Sequence, residues 1–232
     1  MASRASVVMY YDLVSPYSFM GFKLFNKIRH QWSGVDVSFK PMLLGGVMNA
    51  VKNEPLFKFP SKKNHMVADL DRISVVTGVP FNFPAEFPVL TVLPMRVLTA
   101  LQIHEADKYE QCIDKLFDEY FVHGHNISKA EVIQAALTPI FSQDPSPLAK
   151  VQSYLQFASD PQIKQVFKEN TEEAVAKGAY GAPTFLVKKV GSSEEMLFFG
   201  SDRLEMIAAM LGMPYPGLIN IKNMAAGSQP KL

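Results

Sequence analysis

Two serines three residues apart, Ser15 and Ser18, enclose Pro16 and Tyr17 near the start of the chain. Their neighbours indicate what such hydroxyls can do. Val7 to Val14 is rich in β-branched and aromatic residues and free of Gly and Pro, as a buried strand requires. Ser15 then stands where a helix N-cap belongs, and Pro16 suits the first helical position. Phe19, Phe22, Leu24, Phe25 and Ile28 recur at helical spacing. The pattern predicts a strand that delivers a hydroxyl to the open N-terminus of a helix. Free N–H groups and the positive end of the dipole favour an anion there, and a thiolate is one such anion. A plain helix cap, worth about 1 kcal/mol, is the simpler use of the same serine.

The elements that must hold this stretch follow in order. Val35, Val37 and Phe39 alternate with polar residues and predict a strand ending at Pro41, which completes β-α-β. Gly45-Gly46 and the polar run Asn49 to Pro55 predict a loop. His65 to Thr77 is helical in pattern and stops at Gly78, and a Pro-rich connector from Phe81 to Pro88 leads to a helix over Leu93–His104. Lys108 to Val122 predicts another helix. Ser128-Lys129-Ala130-Glu131 predicts a capping box, and Ser146-Pro147 and Asp160-Pro161 each predict a cap followed by Pro, the second helix ending near Gly178. Strand character returns at Thr184–Lys189 and Glu195–Phe199, before a last helix starting near Ser201 or Asp202. Asp202 and Glu205 could form a variant capping box there. Each set of strands is too small to stand alone, so both should join one sheet across the helical block. The expected fold is α/β: a thioredoxin-like fold with a large all-helical insertion domain. Residues 1–58 and 177–232 form the two parts of the thioredoxin-like domain, and residues 59–176 the insertion.

With 232 residues, 48% of them hydrophobic, the chain can bury a substantial core. A net charge of +1 without a long basic run argues against nucleic acid as a partner. No apolar run approaches membrane-spanning length, and strand-like sequence begins too early for a secretory signal. The single cysteine, Cys112, excludes an intrachain disulfide, a CxxC redox pair and a cysteine-rich zinc site. It lies on an apolar stripe and reads as a small buried hydrophobe. His123-Gly124-His125 lacks a third ligand at helical spacing, so no metal is expected.

Taken in order, Tyr11-Asp12, Ser15-Pro16-Tyr17-Ser18, Asn53 and Pro55, Met95-Arg96, Leu98-Thr99-Ala100, Tyr180-Gly181-Ala182-Pro183 and Phe199-Gly200-Ser201-Asp202-Arg203 give the chain a clear likeness. It resembles the kappa-class glutathione S-transferases, of the thioredoxin-like superfamily that also holds 2-hydroxychromene-2-carboxylate isomerases and periplasmic disulfide oxidoreductases. Ser15 and Ser18 occupy the positions of the cysteines in the redox members, so dithiol exchange is excluded here. The resemblance implies glutathione as cosubstrate, with Ser15 donating a hydrogen bond to its thiolate and Pro16 and Tyr17 lining the same site. It implies a cis Pro183, with the Ala182 backbone pairing with the cysteinyl part of the ligand. It also implies Ser201 and Asp202 on the γ-glutamyl group, and Asn53 on the glutathione backbone. Ala182 is smaller than the Leu often found there, which alters the site wall.

The implied activity is transfer of glutathione to small electrophiles, a detoxification chemistry, with hydroperoxide reduction as a second activity. A glutathione-dependent isomerase uses the same site, and a non-catalytic thioredoxin-like binding protein needs Ser15 only as a cap. The resemblance further implies a homodimer. The chain ends Pro230-Lys231-Leu232, close to but departing from the strict peroxisomal Ser-Lys-Leu. Peroxisome is therefore the expected location, with mitochondrion as the alternative.

Overall fold

The computed structural model describes residues 4–219. The C-terminal tripeptide, on which the location rests, lies outside them. Four strands form one sheet in the order β2-β1-β3-β4: β1 (Ala5–Tyr11), β2 (Val35–Pro41), β3 (Thr184–Lys188) and β4 (Glu195–Phe199). β1 runs parallel to β2, with Val7 opposite Val37, and antiparallel to β3, with Val7 opposite Val187. β3 and β4 are antiparallel, with Leu186 opposite Leu197.

Alternation along β1 divides the core. Val7, Met9 and Tyr11 face one side with Phe185 and Val187; Tyr10 and Val8 face the other with Met42, Val47, Ala174 and Leu186. Helix α1 (Pro16–Arg29) covers the first face. Its Phe22 and Phe25 rings lie 5.0 Å from Phe39 and 5.8 Å from Phe185 respectively, centroid to centroid. α9 (Leu204–Leu211) adds Leu204, Ile207 and Ala208 to the same core.

Between β2 and β3 lie α2 (Leu44–Ala50), α3 (Pro60–Thr77), α4 (Val92–His104), α5 (Ala106–Phe121), α6 (Ala130–Leu137), α7 (Pro147–Phe157) and α8 (Pro161–Ala176), with short 3-10 turns at Leu56–Lys58 and Thr138–Phe141. α5 docks on α1: Phe117 lies 5.8 Å from Phe19 and 5.7 Å from Phe22, and Lys23 reaches both Asp114 and Asp118. One apolar core therefore runs from the sheet into the helical block. The block also reaches the sheet's outer strand, where the Phe39 carbonyl accepts from Gln102 Nε2 at 2.9 Å and Tyr109 OH at 3.0 Å.

Several local expectations need correction. Gly45 and Gly46 are helical, not loop. Asp12 Oδ2 accepts from Leu44 N at 2.8 Å and caps α2 from outside its own segment. A Cβ on Gly46 would lie 3.3 Å from Thr171 Cγ2, so its absence lets α2 approach α8. The Ser128 capping box does not form, because its hydroxyl goes to Asn126 Oδ1 at 2.6 Å and α6 begins at Ala130. Ser146 precedes α7 without a side-chain cap bond, whereas Asp160 caps α8 through Gln162 N at 2.7 Å. The last helix starts at Leu204, and no Asp202–Glu205 capping box forms; Asp202 pairs with Arg203 instead.

Candidate functional site

The site begins at the C-terminal end of β1. Ser15 has extended backbone angles, and its hydroxyl oxygen accepts from Ser18 N at 3.0 Å, as an N-cap does. The same hydroxyl donates to the Ala182 carbonyl at 3.0 Å, across 167 positions of sequence. The Ala182–Pro183 bond is cis. Ser15 is buried, at 4% exposure.

In the first turn of α1, Pro16 has no N–H and Ser18 N–H goes to Ser15 Oγ. Phe19 N–H goes to Ser15 O at 3.1 Å. Helix geometry leaves Tyr17 N–H, at the second helical position, without an intrahelical acceptor. The structure thus sets a hydroxyl and a helix N-terminus against the segment leading into β3.

Other candidate residues are tied to the same region. Tyr17 OH donates to Asp69 Oδ2 on α3 at 2.9 Å. Burial first, and then the Asp69 carboxylate, raises the Tyr17 phenol well above its ordinary range, so it remains a donor at neutral pH. Asn53 Nδ2 donates to the Tyr180 carbonyl at 2.8 Å and Asn53 Oδ1 accepts from Glu54 N, which fastens the 51–55 loop to the residues before Ala182. The Pro183 carbonyl accepts from Gly200 N at 3.0 Å, which brings the residues after β4 beside it. Ser201 is buried, while Asp202 is exposed and its charge is felt at Tyr17.

Gly21 explains how closely these pieces meet. A Cβ there would lie 3.1 Å from Pro183 Cγ and 3.3 Å from Met9 Cε, both tight, so glycine lets α1 approach Pro183 without displacing it. A glycine in a helix interior costs about 1 kcal/mol relative to Ala, and that is the signal by which sequence could have marked it.

Asp12 was visible as a motif residue without a role. Its carboxylate is fully buried and accepts from Thr91 Oγ1 at 2.7 Å, Val14 N at 3.0 Å and Leu44 N at 2.8 Å. Burial raises its pKa, opposed by these three bonds. Its backbone carbonyl accepts from Ser15 N at 3.0 Å, so one residue joins the serine loop, α2 and the residue before α4.

His125 Nδ1 lies 2.6 Å from Glu119 Oε2, and among the described residues no group of three or more metal-ligating side chains gathers. Cys112 is buried in the core, and desolvation pushes its thiol up to about 12.

A family model for the DSBA-like thioredoxin domain matches residues 6–212. Human "Glutathione S-transferase kappa 1" is 30% identical over 221 residues, covering 92% of this chain and 94% of its own. "Glutathione s-transferase kappa 2" of Caenorhabditis elegans is 26% identical over 223 residues, covering 94% and 96%. A solved 2-hydroxychromene-2-carboxylate isomerase shares the fold, with a TM-score of 0.71 at 19% identity over 89% of this chain and 94% of that one.

Proposed function

Because the chain belongs to the DSBA-like thioredoxin domain family and, within it, to the kappa-class glutathione transferases, we propose that Ser15 keeps the sulfur of bound glutathione deprotonated for attack on small electrophiles. The protein is a glutathione transferase, and glutathione is its cosubstrate. The observation that carries the role of Ser15 is its double engagement, accepting from Ser18 N and donating to Ala182 O at the mouth of α1.

A hydroxyl has one proton to give. To donate to a thiolate, Ser15 must release the Ala182 carbonyl, and a buried carbonyl left without a donor costs about 1–3 kcal/mol. The cysteinyl N–H of glutathione, paired along Ala182 in the manner of an added strand, replaces that donor. The freed Ser15 proton and the Tyr17 N–H then face the sulfur, and both stabilise the anion over the thiol. The thiol proton leaves to solvent, the sulfur attacks the electrophilic carbon, and a leaving group departs or an anion forms that is protonated later. Pro16, Pro183 and Asn53 shape the peptide channel, and Ser201 and Asp202 receive the γ-glutamyl carboxylate and ammonium.

Ultraviolet difference absorbance during glutathione titration near pH 7 tests this, comparing the parent with Ser15→Ala. The parent should form thiolate on binding and the variant far less; equal thiolate in both would overturn the role of Ser15. Turnover of a chlorodinitrobenzene substrate, set against isomerisation of a hydroxychromene carboxylate, separates transfer from isomerisation. Absence of both, with no retention on immobilised glutathione, would indicate a non-catalytic binding protein.

The homodimer has support in exposed apolar side chains on two segments near the site. Leu56, Phe57 and Phe59 are exposed, as are Tyr180 and Phe199, whose rings lie 4.5 Å apart. The Asn53–Tyr180 bond ties the loop before the first group to the segment that carries Tyr180.

A further inference from the structure

Arg96 sits one turn into α4, partly buried, and makes no hydrogen bond or ion pair among the described residues; its Nε is shielded from solvent with no acceptor. Withdrawing part of a guanidinium from water without an acceptor is costly. Its planar fork of five donors suits a carboxylate.

The residue stands between two hollows. The smaller, about 610 Å³, includes Glu86 and Asn126, but Asn126 Nδ2 donates to Glu86 Oε2 at 2.8 Å and neither reaches Arg96. The larger, about 820 Å³, is a groove among α2, α4 and α8, of a size that holds a small organic ligand. Leu43, Val92, Phe167 and Val175 give it an apolar wall. Lys164 and Lys168 stand exposed along it; Glu172 also lines it and holds Lys168 at 3.3 Å, which leaves Arg96 and Lys164 uncompensated. Ser15, Ala182, Pro183 and Ser201 do not line this groove, which sets it apart from the site at Ser15.

We propose that this groove binds an organic carboxylate with an apolar tail, its head on Arg96 and Lys164 and its tail along Leu43, Val92, Phe167 and Val175. Such a site is independent of the role given to Ser15. Isothermal titration of the full chain with octanoate, 1-octanol and inorganic phosphate tests it. Octanoate should bind in one saturable step, more tightly than 1-octanol, and phosphate should not compete with it. Arg96→Met, which keeps the apolar stem, should weaken octanoate by about tenfold, as loss of a charge-assisted hydrogen bond does, and leave 1-octanol unchanged. Equal binding of acid and alcohol, effective competition by phosphate, or octanoate binding unaltered in Arg96→Met would each overturn the proposal. If Arg96→Met fails to fold, carboxyl-labelled octanoate bound to the parent and followed by carbon NMR decides between the outcomes. Its bound carboxyl should titrate at lower pH than the free acid, and an unshifted midpoint would overturn the site.

Discussion

The Ser15 hydroxyl carries one proton, and Ala182 holds it; the role proposed for Ser15 requires a ligand amide to take its place. Thiol activation therefore depends on the peptide as well as the sulfur. A simple thiol such as 2-mercaptoethanol has no amide N–H to offer Ala182, so the parent should leave its thiolate fraction near the solution value while raising that of glutathione. In Ser15→Ala, the apparent pKa governing kcat/KM should rise by about 1–2 pH units, the value of one charge-assisted hydrogen bond. The sign follows from the thiolate being the nucleophile: its loss of stabilisation moves the rise of the profile to higher pH, and rates at alkaline pH converge. The Ser15–Pro16 cap and its helix were legible because both rules are local. The Ala182 partner was not, since no short-range pattern links residues 167 positions apart, and only resemblance pointed there.

Among the elements, Asp12 is the joint. Asn in its place sets an N–H₂ either where Leu44 N–H needs an acceptor, at Oδ2, or where Thr91 Oγ1 and Val14 N–H both need one, at Oδ1. Asp12→Asn should lower unfolding stability in urea by about 1–3 kcal/mol, with kcat/KM falling more than at a distant site of equal cost. The same bond explains why α2 was invisible in sequence: its cap comes from 32 residues upstream, and two glycines ordinarily mark a loop. The contact of Glu105, at the α4–α5 junction, with α7 has a pH signature. Lys150, then Tyr154, holds the Glu105 carboxyl below its ordinary range. A depressed carboxylate contributes stability above its unfolded pKa and loses it as pH falls through the folded value. Glu105→Gln should cost about 1 kcal/mol at pH 7, with the difference from the parent closing toward pH 3 in urea titrations.

At the scale of the whole molecule, the succession of strands and helices along the chain, the helical block and the apolar periodicity of α1 were readable, because burial repeats with the element's own period. The meeting of Asn53 with Tyr180, whose ring packs on Phe199, was not, because it depends on how loops from distant segments meet. If the exposed rings of Phe57 and Phe59 join two copies, Phe57→Ser with Phe59→Ser should shift sedimentation equilibrium from dimer to monomer and leave the helical content unchanged. An unchanged dimer would place the interface elsewhere.

The two side chains that claim the Phe39 carbonyl bear on more than docking. An outer strand with its carbonyls bare is a template onto which another polypeptide can hydrogen-bond and grow. Gln102 and Tyr109 occupy one carbonyl of that template in β2, and they come from the block that interrupts the sheet in sequence. A chain trimmed to its strands and flanking helices would thus lose a guard against clumping along with half its core, and should precipitate with itself as seed.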